Sequence, residues 1–349
     1  MKALDLIHSV PEVEKHLTDE MSRQVYKVRM EYAVYPNIDN LWSNISTLNI
    51  KWKYPKYFSK LEEAFNKNEL ENLIIFGAGE WGRYTLSVLK RSKYKNLNII
   101  ICDNDSKKWK IRGGGIISPE EALKFEKSFV IVGSLKNEAA IYQQILGSGY
   151  LSERICMPIH EYSGWEYFDY FKPNESEIFV DAGCFNGQTA VEFTKWASKG
   201  YDYIYSFEAN ADLIKTCENT FKKHNLNGEV IGKGVWNKDD ILHFESRTVG
   251  GSLITGTGKE TIETTSLDNV LNGKRVTFIK MDIEGAEYKA LLGAEKTIKK
   301  WRPRLAICVY HKPEDILEIP ALLLEMHSDY QFSLRQYNSS GLGAILYAY

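Results

Sequence analysis

Two stretches in the second half of the chain combine glycines and carboxylates in a way that suits nucleoside binding. The first, IFVDAGCFNGQT at residues 178–189, is an apolar run that ends in Asp181, followed by a turn bounded by Gly183 and Gly187. The second, YIYSFEAN, is an apolar run that ends in Glu208. Glycine lets the backbone approach a ligand closely, and a carboxylate at the end of the next parallel strand can bind a ribose diol. We therefore expect a cofactor of the adenosine type to bind here.

The form of the glycine turn bears on which cofactor binds. The sequence DAGCFNG departs from GxGxxG, the pattern in which a helix points at a pyrophosphate. S-adenosylmethionine carries no phosphate, so its turn needs only small residues and a nearby carboxylate. The alternative is a plain strand-to-helix turn, with Glu208 capping the next helix. The residues predicted to bind the cofactor are Asp181, Gly183, Asn186, Gly187, Gln188, Thr189, Glu208 and Asp282.

A pair of acidic residues follows a third apolar run, in the sequence VTFIKMDIEGAEYKALLGA. Asp282 and Glu284 are two residues apart at the predicted end of this strand, the edge where open α/β sheets bind ligands. Helix capping is the alternative role, although capping needs only one acid. The two acids could also hold a divalent cation. Because two carboxylates are few ligands and no HxxxH or HExxH pattern occurs, the sequence predicts no metal site.

His311 follows the apolar run RLAICVY and precedes Pro313, which suits the start of a helix. It should therefore lie at the same sheet edge as Asp282. A histidine there can act as a general base near neutral pH, and the alternative is a histidine that is hydrogen-bonded within the fold. The predicted catalytic residues are His311, Asp282 and Glu284.

The elements that position these residues alternate between strands and helices from residue 177 onward, which predicts an open parallel sheet. The chain ends in two extended runs, QFSLRQY and GAILYAY, joined by the turn NSSGL. So short a link allows only antiparallel pairing. A parallel sheet with a reversed terminal hairpin is the plan of class I methyltransferases and not of dinucleotide-binding Rossmann sheets. Strands are predicted at residues 178–182, 203–207, 228–235, 276–282 and 305–310, with a further extended run at 261–267.

The first half of the chain contains a second glycine motif. FGAGEWG, within a smaller β/α alternation, is a full GxGxxG between a strand and a helix, and Asp103 ends the next strand. This spacing suits a nicotinamide dinucleotide or a nucleotide sugar. The residues predicted to bind that ligand are Gly77, Gly79, Gly82 and Asp103.

The predicted fold class is α/β, with two Rossmann-like parallel sheets after a helical N-terminal segment. The smaller sheet belongs to a nucleotide-binding domain, and the larger one has the class I methyltransferase plan with its antiparallel hairpin at the end. The predicted divisions are a helical segment at residues 1–71, a nucleotide-binding domain at 72–157, a linker at 158–176 and a methyltransferase domain at 177–349.

Residues 178–349 resemble the FkbM family of S-adenosylmethionine-dependent methyltransferases. The most specific likeness is FIKMDIEGAE, supported by VDAGCFNGQT and SFEAN, although Cys184 and Phe185 stand where the family usually has Ala and Asn. The resemblance implies O-methylation of a sugar or related hydroxyl in polysaccharide or natural-product biosynthesis. His311 or Asp282 would then accept the hydroxyl proton, or the two acids would hold a cation. Residues 72–157 resemble nucleotide-sugar-binding domains of sugar-modifying enzymes.

The composition excludes several other classes of protein. The net charge of the 349 residues is -2, which argues against a strongly basic nucleic-acid binder. No apolar run approaches the roughly 18 residues of a membrane span, and the acidic start does not fit a signal peptide. The five cysteines show no CxxC spacing and suit buried thiols in a reducing cytoplasm. We expect a small-molecule or glycan acceptor, no nucleic acid and no membrane span, with a homo-oligomer left open.

Two rival functions stay open at this point. One is an NAD(P)- or nucleotide-sugar-dependent oxidoreductase that acts through the N-terminal glycine motif. The other is a non-catalytic sensor that binds nucleotides in both halves.

Overall fold

The chain begins with three helices, α1 (Ala3–His16), α2 (Glu20–Val34) and α3 (Ile38–Thr47).

By their contacts the residues form two units. One unit consists of Met1–Ile50 together with Ser163–Tyr349, and the other is Lys51–Tyr162. The division into domains given above stays a prediction. The structure is a computed structural model that describes residues 3–48, 57–91, 93–110, 115–134, 137–156, 165–247, 251–254, 260–337 and 342–349.

The unit Lys51–Tyr162 contains a small parallel sheet flanked by helices. Its elements are α4 (Tyr57–Asn66), β1 (Asn72–Phe76), α5 (Glu80–Arg91), β2 (Asn98–Cys102), β3 (Ile116–Ile117), α6 (Pro119–Ala122), β4 (Ser128–Val132), α7 (Glu138–Gly147) and β5 (Ile155–Cys156). The strand order is β3-β2-β1-β4-β5, and every pair is parallel. All five residues of β1 are buried, as a central parallel strand requires.

The second unit is built on a seven-stranded sheet. The remaining elements of the chain are β6 (Glu177–Ala182), α8 (Gln188–Trp196), β7 (Tyr201–Phe207), α9 (Ala211–His224), β8 (Gly228–Ile231), β9 (Gly234–Val235), β10 (Asp240–Arg247), β11 (Gly251–Ile254), β12 (Glu260–Thr265), α10 (Leu267–Leu271), β13 (Phe278–Met281), α11 (Glu287–Leu292), α12 (Glu295–Trp301), β14 (Arg304–Cys308), α13 (Asp315–Met326), β15 (Phe332–Gln336) and β16 (Ala344–Ala348). The order in the sheet is β15-β16-β14-β13-β6-β7-β8. Strand β16 is antiparallel to both of its neighbours, β14 and β15, and all other pairs in this sheet are parallel. The predicted fold class, with its reversed terminal hairpin, is confirmed.

A small four-stranded sheet, in the order β11-β10-β12-β9, accompanies the large one. The extended run predicted at residues 261–267 forms β12 in this sheet. The single strand predicted at residues 228–235 is wrong, because that segment divides between β8 in the large sheet and β9 in the small one. The chain turns at Gly232, where the amide of Lys233 donates to the carbonyl of Ile231 at 2.8 Å.

Neighbouring residues of the large sheet pack into two different layers. Val180 and Ile279 belong to a mainly aliphatic core that also contains buried residues of α1, α2 and α11 to α13. Phe179 and Phe278 belong to an aromatic core that also contains residues of α8. In this core the rings of Phe179 and Phe193, from α8, stack with centroids 4.4 Å apart. The alternation follows from the strand period of two, and it fixes the sheet between its helices.

The N-terminal helices cover β15, the edge strand of the large sheet. The amide of Thr18 donates to the carbonyl of Phe332 at 3.0 Å, and the guanidinium of Arg29 donates to Gln336 Oε1 at 2.6 Å. Arg335 forms an ion pair with Asp19 at 2.8 Å. An open edge strand carries unpaired backbone groups that favour association with other chains. The contacts with the N-terminal helices cover this edge.

Replacing Asp19 with alanine should destabilise this edge. Asp19 is the N-cap of α2, where its side chain accepts from the amide of Ser22 at 2.8 Å, and it also pairs with Arg335. The loss of the cap costs about 1 kcal/mol, and the half-exposed ion pair adds at most about 1 kcal/mol. Urea denaturation, with Glu20→Ala as the control on the same helix, measures the difference.

The pH dependence of Asp19→Asn offers a separate check on the same residue. Burial would raise the pKa of Asp19, but hydrogen bonds from Arg335 and Ser22 lower it from 3.8 to about 2. Because the folded pKa is depressed, the stabilisation is present above pH 3.8 and lost as the pH falls towards 2. The stability gap between wild type and Asp19→Asn should therefore shrink over this interval, and a constant gap would contradict the assignment.

None of the helices in the described part of the chain has the length and apolar character that a membrane-crossing helix requires. All five cysteines are buried and free.

Candidate functional site

The carboxyl ends of four adjacent parallel strands, β7, β6, β13 and β14, bring the predicted site residues to one edge of the large sheet. We call residues 183–187 the glycine turn, which connects β6 to α8. We call Asp282, Glu284, Glu287 and His311 the acid–histidine cluster.

The glycine turn lies directly against the end of β13. Gly183 has φ +83°, and a Cβ atom there would lie 2.0 Å from the carbonyl oxygen of Asp282. The amides of Gly183 and Cys184 donate to the carbonyl of Phe207 at 3.1 and 3.0 Å. Gly187 has φ +78° and is the N-cap of α8. The two glycines thus allow both the backbone conformation and the close contact with Asp282.

Glu208 lies beside the glycine turn. Its Oε2 accepts from the amide of Phe185 and its Oε1 accepts from the amide of Asn210, both at 2.9 Å. The cap of α9 is Asn210, which accepts from Asp212, so capping does not explain Glu208. Burial raises the pKa of Glu208, against the lowering effect of these amides. Each carboxylate oxygen has a second lone pair, so Glu208 can accept further hydrogen bonds from a ligand.

The other predicted cofactor residues occupy the start of α8. Asn186 is exposed, and its side chain accepts from the amide of Gln188 at 3.0 Å. The Gln188 side chain donates to Glu192 at 2.8 Å, and Thr189 is half-buried on the same helix. These residues border the turn, and their roles in binding stay a prediction.

Asp181 is buried and forms an ion pair that the sequence analysis missed. Lys280, on β13, places its Nζ 3.0 Å from Asp181 Oδ1, and the two side chains are 2% and 0% exposed. The same Nζ donates to the carbonyl of Gly183 at 2.6 Å. Burial raises the pKa of Asp181. Burial alone would lower the pKa of Lys280, but the neighbouring carboxylates of Asp181 and Asp282 raise it instead. Lys280 therefore ties the glycine turn to the sheet as an ammonium ion. A lysine within the apolar run FIKM is the sequence signal for it.

The three predicted catalytic residues lie together. His311 Nε2 is 3.4 Å from Asp282 Oδ1 and 3.5 Å from Glu284 Oε2. The side chains of His311 and Asp282 are 10% and 17% exposed, whereas that of Glu284 is 41% exposed. Glu284 has φ +57°, an uncommon backbone conformation that occurs more often at functional sites.

Three further residues of this site were missed by the sequence analysis. Glu287, which is fully buried, places Oε1 2.9 Å from His311 Nδ1. Asp282 accepts hydrogen bonds from the hydroxyls of Tyr167 at 2.6 Å and Tyr310 at 3.2 Å. Tyr167 comes from the segment predicted as a linker, which gives no signal of its own.

Charges within the cluster shift the pKa of its members. Burial would lower the pKa of His311, but the carboxylates of Glu287, Asp282 and Glu284 raise it to about 9. Burial raises the pKa of Glu284 to about 7. Burial would also raise the pKa of Asp282, but Lys280 and His311 keep it below its usual value. At neutral pH the free cluster therefore holds a protonated His311 beside the Asp282 carboxylate, while Glu284 is near the midpoint of its titration.

The N-terminal glycine motif has structural contacts of its own. A Cβ atom at Gly82 would lie 1.8 Å from the carbonyl oxygen of Gly77. A Cβ atom at Gly77 would lie 2.8 Å from the carbonyl oxygen of Gly133. At Gly79, by contrast, a Cβ atom would meet open space. Asp103 accepts from the amide of Ala78 at 2.7 Å and pairs with Lys108 at 2.8 Å. Close packing accounts for two of the glycines, and nucleotide binding by this motif stays a prediction.

The glycine turn and its surroundings fit the group that the sequence resemblance implies, S-adenosylmethionine. The absence of side chains at Gly183 and Gly187 lets the turn pack closely against Asp282 and Thr220, and Glu208 presents acceptor oxygens beside the turn. Oδ1 of the buried Asp181 is paired with Lys280, whereas its Oδ2 has no partner within the described part of the chain. An amino group or a bound water at this edge would satisfy that oxygen.

Comparison with known proteins yields matches to two families. The model of the FkbM methyltransferase domain matches residues 181–334, and that of the C2185-like N-terminal domain matches residues 69–156. No curated protein matches the chain.

Similar solved structures include two methyltransferases and a fibrillarin. The methyltransferase FkbM from Methylobacillus flagellatus is 16% identical, with a TM-score of 0.48 over 95% of this chain and 99% of its own. The O-methyltransferase from Bacillus cereus, in complex with SAH, is 12% identical, with a TM-score of 0.36 over 62% of this chain and 90% of its own. Fibrillarin from Aeropyrum pernix, with bound S-adenosylmethionine, is 10% identical, with a TM-score of 0.34 over 51% of this chain and 67% of its own.

The FkbM match begins at Asp181, the end of β6, and continues past His311 into β15. It therefore includes all of the predicted catalytic and cofactor-binding residues of the large sheet. Residues 181–334 thus form a methyltransferase domain of the FkbM family, which makes this protein a methyltransferase that uses S-adenosylmethionine.

Proposed function

We propose that this methyltransferase acts on the hydroxyl of a sugar or a related compound, in the biosynthesis of a polysaccharide or natural product. The observation that supports this most is the contact between the glycine turn and the acid–histidine cluster, because a Cβ at Gly183 would lie 2.0 Å from the backbone of Asp282. A methyl donor held at the turn would then lie beside groups that can receive a proton. The proposal includes a small-molecule or glycan acceptor, a cytoplasmic location and no nucleic-acid partner.

The glycine turn and its neighbours would hold the cofactor. Glu208 would accept hydrogen bonds from the ribose hydroxyls, with its orientation set by the amides of Phe185 and Asn210. Lys280 would keep the turn in place through its bonds to Asp181 and to the carbonyl of Gly183. The remaining residues proposed to line this pocket are Asn186, Gly187, Gln188, Thr189 and Asp282.

The acid–histidine cluster would receive the acceptor. When bound, S-adenosylmethionine supplies an electrophilic methyl group on a sulfonium, which becomes a neutral thioether as the methyl leaves. A hydroxyl is a poor nucleophile until its proton is drawn away. Asp282 and Glu284 both lie within 3.5 Å of His311 Nε2. Because His311 is protonated in the free cluster at neutral pH, we assign the hydroxyl proton to Asp282 or Glu284, and to His311 once its own proton has left. The Tyr167 and Tyr310 hydroxyls keep the Asp282 carboxylate in position.

Glu208→Gln tests the cofactor assignment. The change keeps the size of the side chain and an oxygen for the amide of Phe185 but removes the charge. Hydrogen bonds to a charged group contribute about 1.5–3 kcal/mol, so the affinity for S-adenosylhomocysteine should fall about 10- to 100-fold. Calorimetric titration measures it, with Glu218→Gln on the exposed side of α9 as the control. An affinity equal to that of wild type would show that Glu208 does not bind the ribose.

The N-terminal unit is proposed to bind a nucleotide or a nucleotide sugar through the edge at Gly77, Gly79, Gly82 and Asp103. Among these, Gly79 has open space where a side chain would be, which leaves its backbone accessible. The division at residues 1–71, 72–157, 158–176 and 177–349 belongs to the same proposal. Titration of the full chain with NAD and with UDP-sugars tests it, because binding of either should be lost in Gly79→Val.

A further inference from the structure

The acid–histidine cluster contains more negative charge than its own cations balance. Asp282, Glu284 and Glu287 surround one imidazole. The buried Lys280 is shared with Asp181, so it balances at most part of this charge. Burying carboxylates without a counter-charge is costly, so a site of this composition calls for a cation.

His311 and Glu287 are in close contact deep in the cluster. Nδ1 and Oε1 are 2.9 Å apart, yet Nδ1 makes no well-aligned hydrogen bond among the described residues. Glu287 is 0% exposed, and its Oε2 is buried and has no hydrogen-bond partner among the described residues. A nitrogen and an oxygen at this separation can both bind one metal ion. Ligands bound at about 2.1 Å to the same ion lie roughly 3 Å apart.

Asp282 supplies a third candidate ligand close to these two. One carboxylate oxygen of Asp282, one of Glu287 and one ring nitrogen of His311 all lie within 4.8 Å of one another. Glu287 is further oriented by the amide of Ile283, which donates to its Oε1 at 2.9 Å. Asp282 is oriented by Tyr167. Ligating carboxylates are commonly held by such outer hydrogen bonds.

We propose that Asp282, Glu287 and His311 bind a divalent metal ion. Two carboxylates and one imidazole suit Mn²⁺, Fe²⁺, Co²⁺ or Zn²⁺ better than Ca²⁺, which prefers six or more oxygens. Three protein ligands leave coordination positions open, as in catalytic metal sites. The expectation of no metal site, which counted only Asp282 and Glu284, is replaced here by a set that adds a histidine and a buried glutamate.

The site deepens the proposed function, and its catalytic role rests on that function. Asp282 adjoins the glycine turn, so an ion here would lie beside the methyl donor. An acceptor hydroxyl bound at an open position of the ion would have a lowered pKa and would be fixed in place. The binding of the ion itself does not depend on which acceptor is used.

Metal binding is tested on the full-length chain after treatment with EDTA and dialysis. We expect calorimetric titration with MnCl₂ to show about one site per chain. The affinity should fall at least about tenfold in Asp282→Asn and in His311→Ala. His243→Ala, an exposed histidine on β10, is the matched control and should bind Mn²⁺ like wild type. Far-UV circular dichroism and thermal melting identify a variant that fails to fold, and the other variant then decides.

A parallel titration with S-adenosylhomocysteine separates the two proposals. No Mn²⁺ binding by a wild-type chain that binds S-adenosylhomocysteine would overturn the metal site and leave the methyltransferase assignment intact. Mn²⁺ affinity unchanged in both folded variants would overturn the assignment of the ligands. Mn²⁺ binding without any binding of S-adenosylhomocysteine would support the metal site and count against the cofactor pocket.

Discussion

Gly183→Ala is expected to prevent the glycine turn from forming. The new Cβ would lie 2.0 Å from the carbonyl oxygen of Asp282, which is backbone and cannot move aside, and φ at this position is +83°. Left-handed backbone costs an alanine about 1–2 kcal/mol, and overpacking adds about 1–3 kcal/mol. The variant should therefore lose about 2–5 kcal/mol of stability, and the folded fraction should lose affinity for S-adenosylhomocysteine.

Gly200→Ala is the matched control for this substitution. Gly200 has φ +111°, but a Cβ atom there would meet no other atom within 4 Å. It therefore carries the conformational cost without the clash. Chemical denaturation and calorimetry of both variants separate the two contributions, and equal losses in the two variants would show that contact with Asp282 is unimportant.

Lys280→Met should be the most destabilising change of a charged residue at this site. The substitution keeps the length of the side chain but leaves the carboxylate of Asp181 buried without its counter-charge. Breaking one side of a buried ion pair costs about 3–5 kcal/mol. The carbonyl of Gly183 also loses its donor, so the affinity for S-adenosylhomocysteine should fall with the stability.

Two comparisons test the cause of that loss. Lys299→Met removes the cation of an exposed pair with Glu295 on α12 and should leave the unfolding midpoint nearly unchanged. The double variant Lys280→Met/Asp181→Asn removes the orphaned charge and should recover part of the stability. If the double variant were no more stable than the single one, the buried charge would not be the reason.

The sheet edge could be predicted because each of its strands is a short apolar run that ends in a polar residue. Gly183 directly follows β6, and Glu208 directly follows β7. Because these neighbouring strands are parallel, their carboxyl ends lie side by side and bring the two residues together. The same reasoning placed His311 beside Asp282, as the structure shows. The reversed hairpin followed from the short link between its two strands.

The partners of these residues could not be predicted, because they depend on which strands become neighbours. Lys280 pairs with Asp181 across β13 and β6, which are nearly one hundred residues apart in the chain. Glu287 has the sequence pattern of an acid in the first turn of a helix, and only the packing of α11 turns it towards His311. Tyr167 lies outside any periodic run, so its bond to Asp282 has no local signal.

The association of α1 and α2 with the large sheet also depends on distant contacts. Asp19 and Arg335 are separated by almost the whole chain, and neither residue type is unusual at a surface. The sequence predicts that this segment is helical, but it does not predict that the helices cover β15.

The most direct test of the account is calorimetric titration of the purified full-length chain with S-adenosylmethionine and S-adenosylhomocysteine. The account predicts that both ligands bind at one site per chain and that Glu208→Gln weakens both. If neither ligand bound to the folded wild-type chain, the claim that the glycine turn and Glu208 form a cofactor pocket would be contradicted.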